Sequence, residues 1–255
     1  MAGRLLAGGS PNTFKGRGLP RGVWTSTREA PILIIGAAHV VDLREPLRRV
    51  LLSRTLDAVA VELDAERAQA VLRPGESPAP GGGGPVFLRL WGLIQRRLGR
   101  ELGGGIAGAE MRAAAEVAGE RRLPVLLIDD PIRDTLGRLL GSLSLKERVA
   151  LLGGAIIGLF LPSRLVSRQI DQYNDAPGDY LEEVRQAYPT VARVLLDDRN
   201  DHMAERLAEA RRNGFGRVAA VVGDAHVRGL ATALARRGIP TETVPLARLL
   251  TPTGP

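Results

Sequence analysis

The sequence predicts an α/β domain: a mainly parallel sheet flanked by helices, with the functional site at the carboxyl edge of the strands. Three observations carry that reading. Apolar runs of strand length occur at Ile32–Ile35, Ala58–Glu62, Val125–Asp129 and Val218–Val222, with a weaker one at Thr241–Val244. Helical periodicities lie between them, and strands buried on both faces that alternate with helices make parallel sheets. Finally, two of the runs end in near-copies of one phrase, ILIIGAAHV at 32–40 and AAVVGDAHV at 219–227.

Residues 1–30 read as a basic, poorly ordered leader. They hold Arg4, Lys15, Arg17, Arg21 and Arg28 against Glu29, a net +4 of the formal +7, and no apolar stretch suited to a secretory signal. The remainder carries +3 spread among interspersed acids, so no nucleic-acid partner is expected. After the first strand, Leu43, Leu47, Val50 and Leu51 predict a helix behind Asp42 as N-cap, with Glu45 three residues on. Residues 74–85 (PGESPAPGGGGP) read as a flexible loop. The segment at 86–102 has helical spacing, which disqualifies GGGIAG at 103–108 as a dinucleotide motif, because that motif follows a strand.

Met111 to Ala118 is an alanine-rich helix, followed by the strand at Val125–Asp129. The apolar run Val149–Pro162 is 14 residues, short of the ~20 that cross a bilayer. It is expected to be a helix buried in the domain or across a homodimer interface, with membrane association not expected. Residues 178–213 predict two or three helices, broken at Pro189 and around Asp197–Asn200. A last helix starts after His226 and stops at Gly238. No linker divides two complete hydrophobic patterns, so residues 31–255 form a single domain. At 44% hydrophobic and 25% charged residues the chain can bury a full core, and a cytoplasmic location is expected.

The chain has no cysteine, which removes disulfides, thiolate nucleophiles and Cys-ligated metal. Any metal must be held by histidine and carboxylate. Basic residues are arginine except Lys15 and Lys146, a scattered bias read as genomic or thermal adaptation.

His39 and His226, two of only three histidines, occupy the repeated phrase. Gly36 and Gly223 would permit a sharp exit from each strand, and Ala38 and Ala225 leave room before the imidazoles. Glu62 closes its strand at the matching position, followed by Asp64, and a glutamate there is costly to desolvate without a partner. Glu110 lies in a first helical turn, where the dipole favours an anion. Asp129 and Asp130 end another strand. Two histidines and a carboxylate make a usual metal shell with open positions, and a second carboxylate could take a proton from water. Arg199 is expected to orient substrate, while His202 reads as an ordinary helical residue.

The assembled phrases resemble the TraB/pheromone-shutdown family, distantly related to the Tiki metalloproteases and the erythromycin-esterase/ChaN-like group. The matching pieces are GAAHV at 36–40, VAVELDAER at 59–67, GAEMRAAAEVA at 108–118, LLIDDPIRDTLGRL at 126–139, DDRNDHMAERL at 197–207 and VVGDAHVRGL at 221–230. The resemblance implies an active centre containing His39, Glu62, Glu110, His226 and Arg199, and a metal-dependent hydrolase, most simply a peptidase. This chain departs from the family's habit in having Asp130, where a basic residue often follows the aspartate of the fourth piece. On this reading His39, His226 and Glu62 bind a divalent ion (zinc, manganese or cobalt), Glu110 is the base, and Arg199 steadies the substrate carboxylate or oxyanion. The rival reading is a non-catalytic protein that sequesters a peptide or a haem-like ligand.

Overall fold

The apolar runs become parallel strands in a computed structural model, which describes residues 5–6, 30–37, 43–72, 108–144, 146–147, 182–183 and 185–250. The strands are β1 (Leu5–Leu6), β2 (Ile32–Ala37), β3 (Ala58–Val61), β4 (Val125–Leu127), β5 (Val218–Gly223) and β6 (Thr241–Val244), in spatial order β1-β4-β3-β5-β2-β6. β5 lies between β3 and β2, and the three run level: Val61 pairs with Val221, and Ala37 with Gly223. Within the expected leader, Leu5 and Leu6 pair with Val125 and Leu126 as an edge strand.

Eight helices among the described residues flank the sheet: α1 (Arg44–Leu52), α2 (Ala65–Leu72), α3 (Ala109–Glu120), α4 (Ile132–Ser142), α5 (Pro189–Ala192), α6 (Asp198–Arg212), α7 (Asp224–Ala235) and α8 (Leu246–Leu250). The period-2 geometry of the strands feeds two cores. Leu33, Ile35, Val59, Val61 and Val221 pack on one face with Leu47 and Leu51 of α1, Met111 and Val117 of α3, and Leu249 of α8. Ile32, Ile34, Ala60, Ala220 and Val222 pack on the other with Met203 and Leu207 of α6 and Leu230 and Leu234 of α7. Burial on both sides is why these strands read as continuous apolar runs rather than as alternating ones.

Three helix boundaries differ from expectation. α7 begins at Asp224, so His226 sits inside its first turn; an aspartate beside the unpaired N–H groups of a helix start is favourable. α1 follows Leu43 with no side-chain cap, and Asp42 lies outside the described residues. Of the two expected breaks, the one at Pro189 is present, with Tyr188 outside helical geometry, and the one around Asp197–Asn200 is absent. Pro189 is the first residue of α5, where its missing N–H costs nothing, and the chain then passes through a π turn (Arg193–Asp197) directly into α6. Gly238, at φ +69, ends the turn after α7 as expected, with Ile239 N–H donating to the Leu234 carbonyl. No described helix is long and apolar enough to cross a membrane. The loop at 74–85, the stretch at 103–107 and the apolar run at 149–162 lie outside the described residues.

Candidate functional site

The carboxyl edge of β3, β5 and β4 gathers a buried polar network. Glu62 follows β3, and its alternation turns it toward the α6–α7 side. One of its oxygens accepts from the Gly223 N–H at 2.6 Å, at the end of the neighbouring strand; the other accepts from Arg199 Nη2. Gly223 is extended (φ −57, ψ 141), so what it supplies is close approach rather than an unusual turn: a Cβ there would lie 3.3 Å from Glu62 Oε2. At Gly36 a Cβ would run into the Asp224 carboxylate, which accepts from the Leu246 N–H at 2.8 Å and so ties the exits of β2, β5 and β6 together.

Arg199, at the start of α6, is the centre of the network. Nε donates to Asp129 Oδ1 at 3.0 Å, Nη2 to Asp129 Oδ2 at 2.6 Å and to Glu62, and Nη1 to the Leu195 carbonyl at 3.3 Å and to His226 Nε2 at 3.0 Å. Those are all five N–H groups a guanidinium owns. Arg199 therefore positions the other members, and contact with a substrate oxyanion would require it to release one of them. Burial opposes its charge, but hydrogen bonding and attraction from Asp129 and Glu62 outweigh burial and raise its pKa.

Because Arg199 can only donate, His226 Nε2 accepts, and Nδ1–H donates to Asn200 Oδ1 at 2.9 Å. The residue is 4% exposed, and burial favours the neutral ring by depressing its pKa against the pull of Glu62. His226 Nε2 lies 3.4 Å from Glu62 Oε1. Asn200 fits because residue 229 is glycine, where any Cβ would collide with the Asn200 amide.

Asp129, after β4, is clamped from both helix layers. Arg199 reaches it from α6, and Arg67 reaches it from α2, with Arg67 Nε also donating to Asp64 Oδ2 at 2.7 Å. Burial pushes Asp129 toward protonation, yet the two guanidiniums hold its pKa below the usual carboxylate value. Asp64 accepts in addition from the backbone N–H groups of Glu66 and Arg67, capping α2. Formally, the carboxylates of Glu62, Asp64 and Asp129 exceed Arg67 and Arg199 by one negative charge.

Of the residues the sequence singles out, the structure brings together Glu62, His226, Arg199, Asp64 and Asp129. His39 lies outside the described residues; the strand leading to it, β2, neighbours β5 and ends at Ala37. Glu110 is 3% exposed in the first turn of α3, on the opposite helix layer, and has a polar partner of its own. Among the described residues, no group of three or more His, Asp or Glu could hold a metal ion by itself. Sequence reasoning missed Asn200 and Arg67. The signal for Asn200 is a turn-favouring residue inside a helical period, which from sequence alone predicts a break.

This arrangement lies within a stretch, residues 23–243, that matches the model of the TraB/PrgY/gumN family. The chain belongs to that family. One curated relative, an uncharacterized protein of Methanocaldococcus jannaschii, is 31% identical over 221 residues. That match takes in 82% of this chain and 54% of the relative, so this TraB/PrgY/gumN chain spans about half the relative's length.

Proposed function

We propose that the chain is a metal-dependent hydrolase of peptides or related amides, with His226, Glu62 and His39 as ligands of a divalent ion. The observation that carries the proposal is the 3.4 Å separation of His226 Nε2 and Glu62 Oε1. Two ligands about 2.1 Å from one tetrahedral ion stand roughly that far apart. The donor chemistry fits as well: a neutral imidazole whose second nitrogen is braced by an amide oxygen, beside a carboxylate, in a cluster with one surplus negative charge. Arg199 at present donates to that Nε2, so ion binding exchanges one N–H contact while its bonds to Asp129 and Glu62 remain to orient Glu62. A divalent ion supplies Lewis acidity toward a carbonyl. Glu110 would take a proton from the attacking water.

The engagement of His226 Nε2 by Arg199 is the one observation that favours the second reading, a binder of a peptide or haem-like ligand without turnover. Elemental analysis of the purified protein, followed by a peptide-library cleavage assay with and without chelator, separates the two. Chelator-sensitive cleavage is expected; a stoichiometric ligand without cleavage would replace the hydrolase with the binder. Glu62→Gln should lower metal content and activity together, whereas Glu110→Gln should keep the metal and lose about 10²–10⁴-fold in turnover.

A further inference from the structure

We propose that His202 is the proton donor to the departing amine, held in place by Asp130, an assignment that rests on the hydrolase reading above. His202 lies three residues after Arg199 on α6, and residues so spaced share a helix face. Its Nδ1 is 3.0 Å from Asp130 Oδ1. Asp130 is itself fixed: Arg138 of α4 donates to its other oxygen, and its backbone N–H donates to Asp129 Oδ1 at 2.9 Å. His202 is thus tied through Asp130 to Asp129, the carboxylate that anchors Arg199.

The histidines of α6 and α7 are built for opposite tasks. His226 has both ring nitrogens engaged and is buried, which suits a group that stays neutral. His202 has a side chain 33% exposed, and with Nδ1 turned to Asp130 its Nε2 has no hydrogen-bond partner among the described residues and is the nitrogen left for a substrate. The other acids near it cannot take this role, because Glu62, Asp64 and Asp129 are each bound to a guanidinium or to backbone N–H groups. A surface ion pair kept only for stability would leave the chemistry untouched; a proton donor would not.

The step balances. The oxygen of water bonds to the carbonyl carbon while one of its protons passes to Glu110. The carbon–nitrogen bond breaks with its electron pair on nitrogen, and that nitrogen takes the Nε2 proton of His202. A carboxylic acid and an amine leave, the amine carrying off the proton held by Glu110 as an ammonium ion, and His202 takes its proton back from solvent.

The test uses the full chain loaded with its metal, and two probes: the best peptide from the cleavage library, and the same acyl segment as a p-nitrophenyl ester. Nitrophenolate departs without being protonated, so only the peptide needs a donor. His202→Asn keeps an N–H where Nδ1 meets Asp130 but has no exchangeable ring proton; His202→Gln is the second variant. Both should lose about 10²-fold or more on the peptide and only a few-fold on the ester, with metal content unchanged. Equal losses on both probes, or no loss on the peptide, would overturn the assignment and leave the hydrolase standing. A wild-type chain that cleaves neither probe would remove the hydrolase and this step together.

Discussion

Both edges of the sheet carry arginine–carboxylate pairs, and they are built differently. At the amino edge Arg217 meets Asp57 and Arg54 meets Glu242, one partner each, with arginine side chains 38% and 43% exposed. Arg217, Arg54 and Glu242 line a depression with Ala30, Leu33 and Leu56, and the charges of the two pairs cancel locally. At the carboxyl edge Arg199 is 15% exposed and shared among Asp129, Glu62 and His226, and Asp129 is 1% exposed. Exposed pairs contribute about 0–1 kcal/mol each, whereas burying charge costs several kcal/mol per ion that mutual attraction only partly offsets. Stability alone would be served as well by apolar packing. The buried cluster is what a site needs: charges already stripped of water and held in one geometry.

The largest test of that contrast is Asp129→Ala, which takes the shared carboxylate from two guanidiniums and leaves Arg199 with Glu62 and Arg67 with Asp64. It should cost about 3–5 kcal/mol in chemical denaturation, while Asp57→Ala at the amino edge should cost about 1 kcal/mol or less. Equal costs would break the comparison. Next, Asn200→Ala should cost about 1–3 kcal/mol, because it leaves the buried Nδ1–H of His226 unpaired. Gly229→Ala, which displaces the same amide, should fall in that range; an unchanged denaturation midpoint would show that Asn200 does not brace the ring.

The pH dependence sharpens the contrast further, since no described residue of the amino edge is a histidine. The depressed pKa of His226 means that the unfolded chain binds a proton more readily than the folded one. Its contribution is therefore full above the unfolded histidine value, about 6.5, and is lost as pH falls below it. Asp129, also depressed, adds a second loss below about pH 3.9. Denaturation midpoints measured from pH 7.5 to 5 should decline, and His226→Gln should flatten the decline. Smallest of all, Arg54→Ala should shift stability by about 0–1 kcal/mol and lose even that in high salt.

What the sequence made legible was whatever depends on local pattern. β2, β3 and β5 announced themselves because burial on both faces gives unbroken apolar runs, and Glu62 stood out as a carboxylate ending one of them. The partners did not. Asp129 and Arg199 are 70 positions apart, and nothing local says that α6 crosses above β4. Arg67 reads as a helix-surface arginine until α2 is placed beside Asp129. Asn200 misled for a physical reason: its weak helix propensity suggested a break, but tertiary hydrogen bonding to His226 rewards it inside the helix.

The π turn at Arg193–Asp197 has a consequence for how α6 is aimed. An α-helix advances about 100° per residue, and a π turn takes in one extra residue. Every side chain after it is therefore rotated by about that angle relative to α5. Arg199 and Asn200 face the sheet edge, and Met203 and Leu207 face the core, only at this phase. Removing a single residue there would leave every helix-forming preference satisfied and every side chain chemically intact, yet would swing the guanidinium out of reach of Asp129. The address of the arginine is written in a residue count.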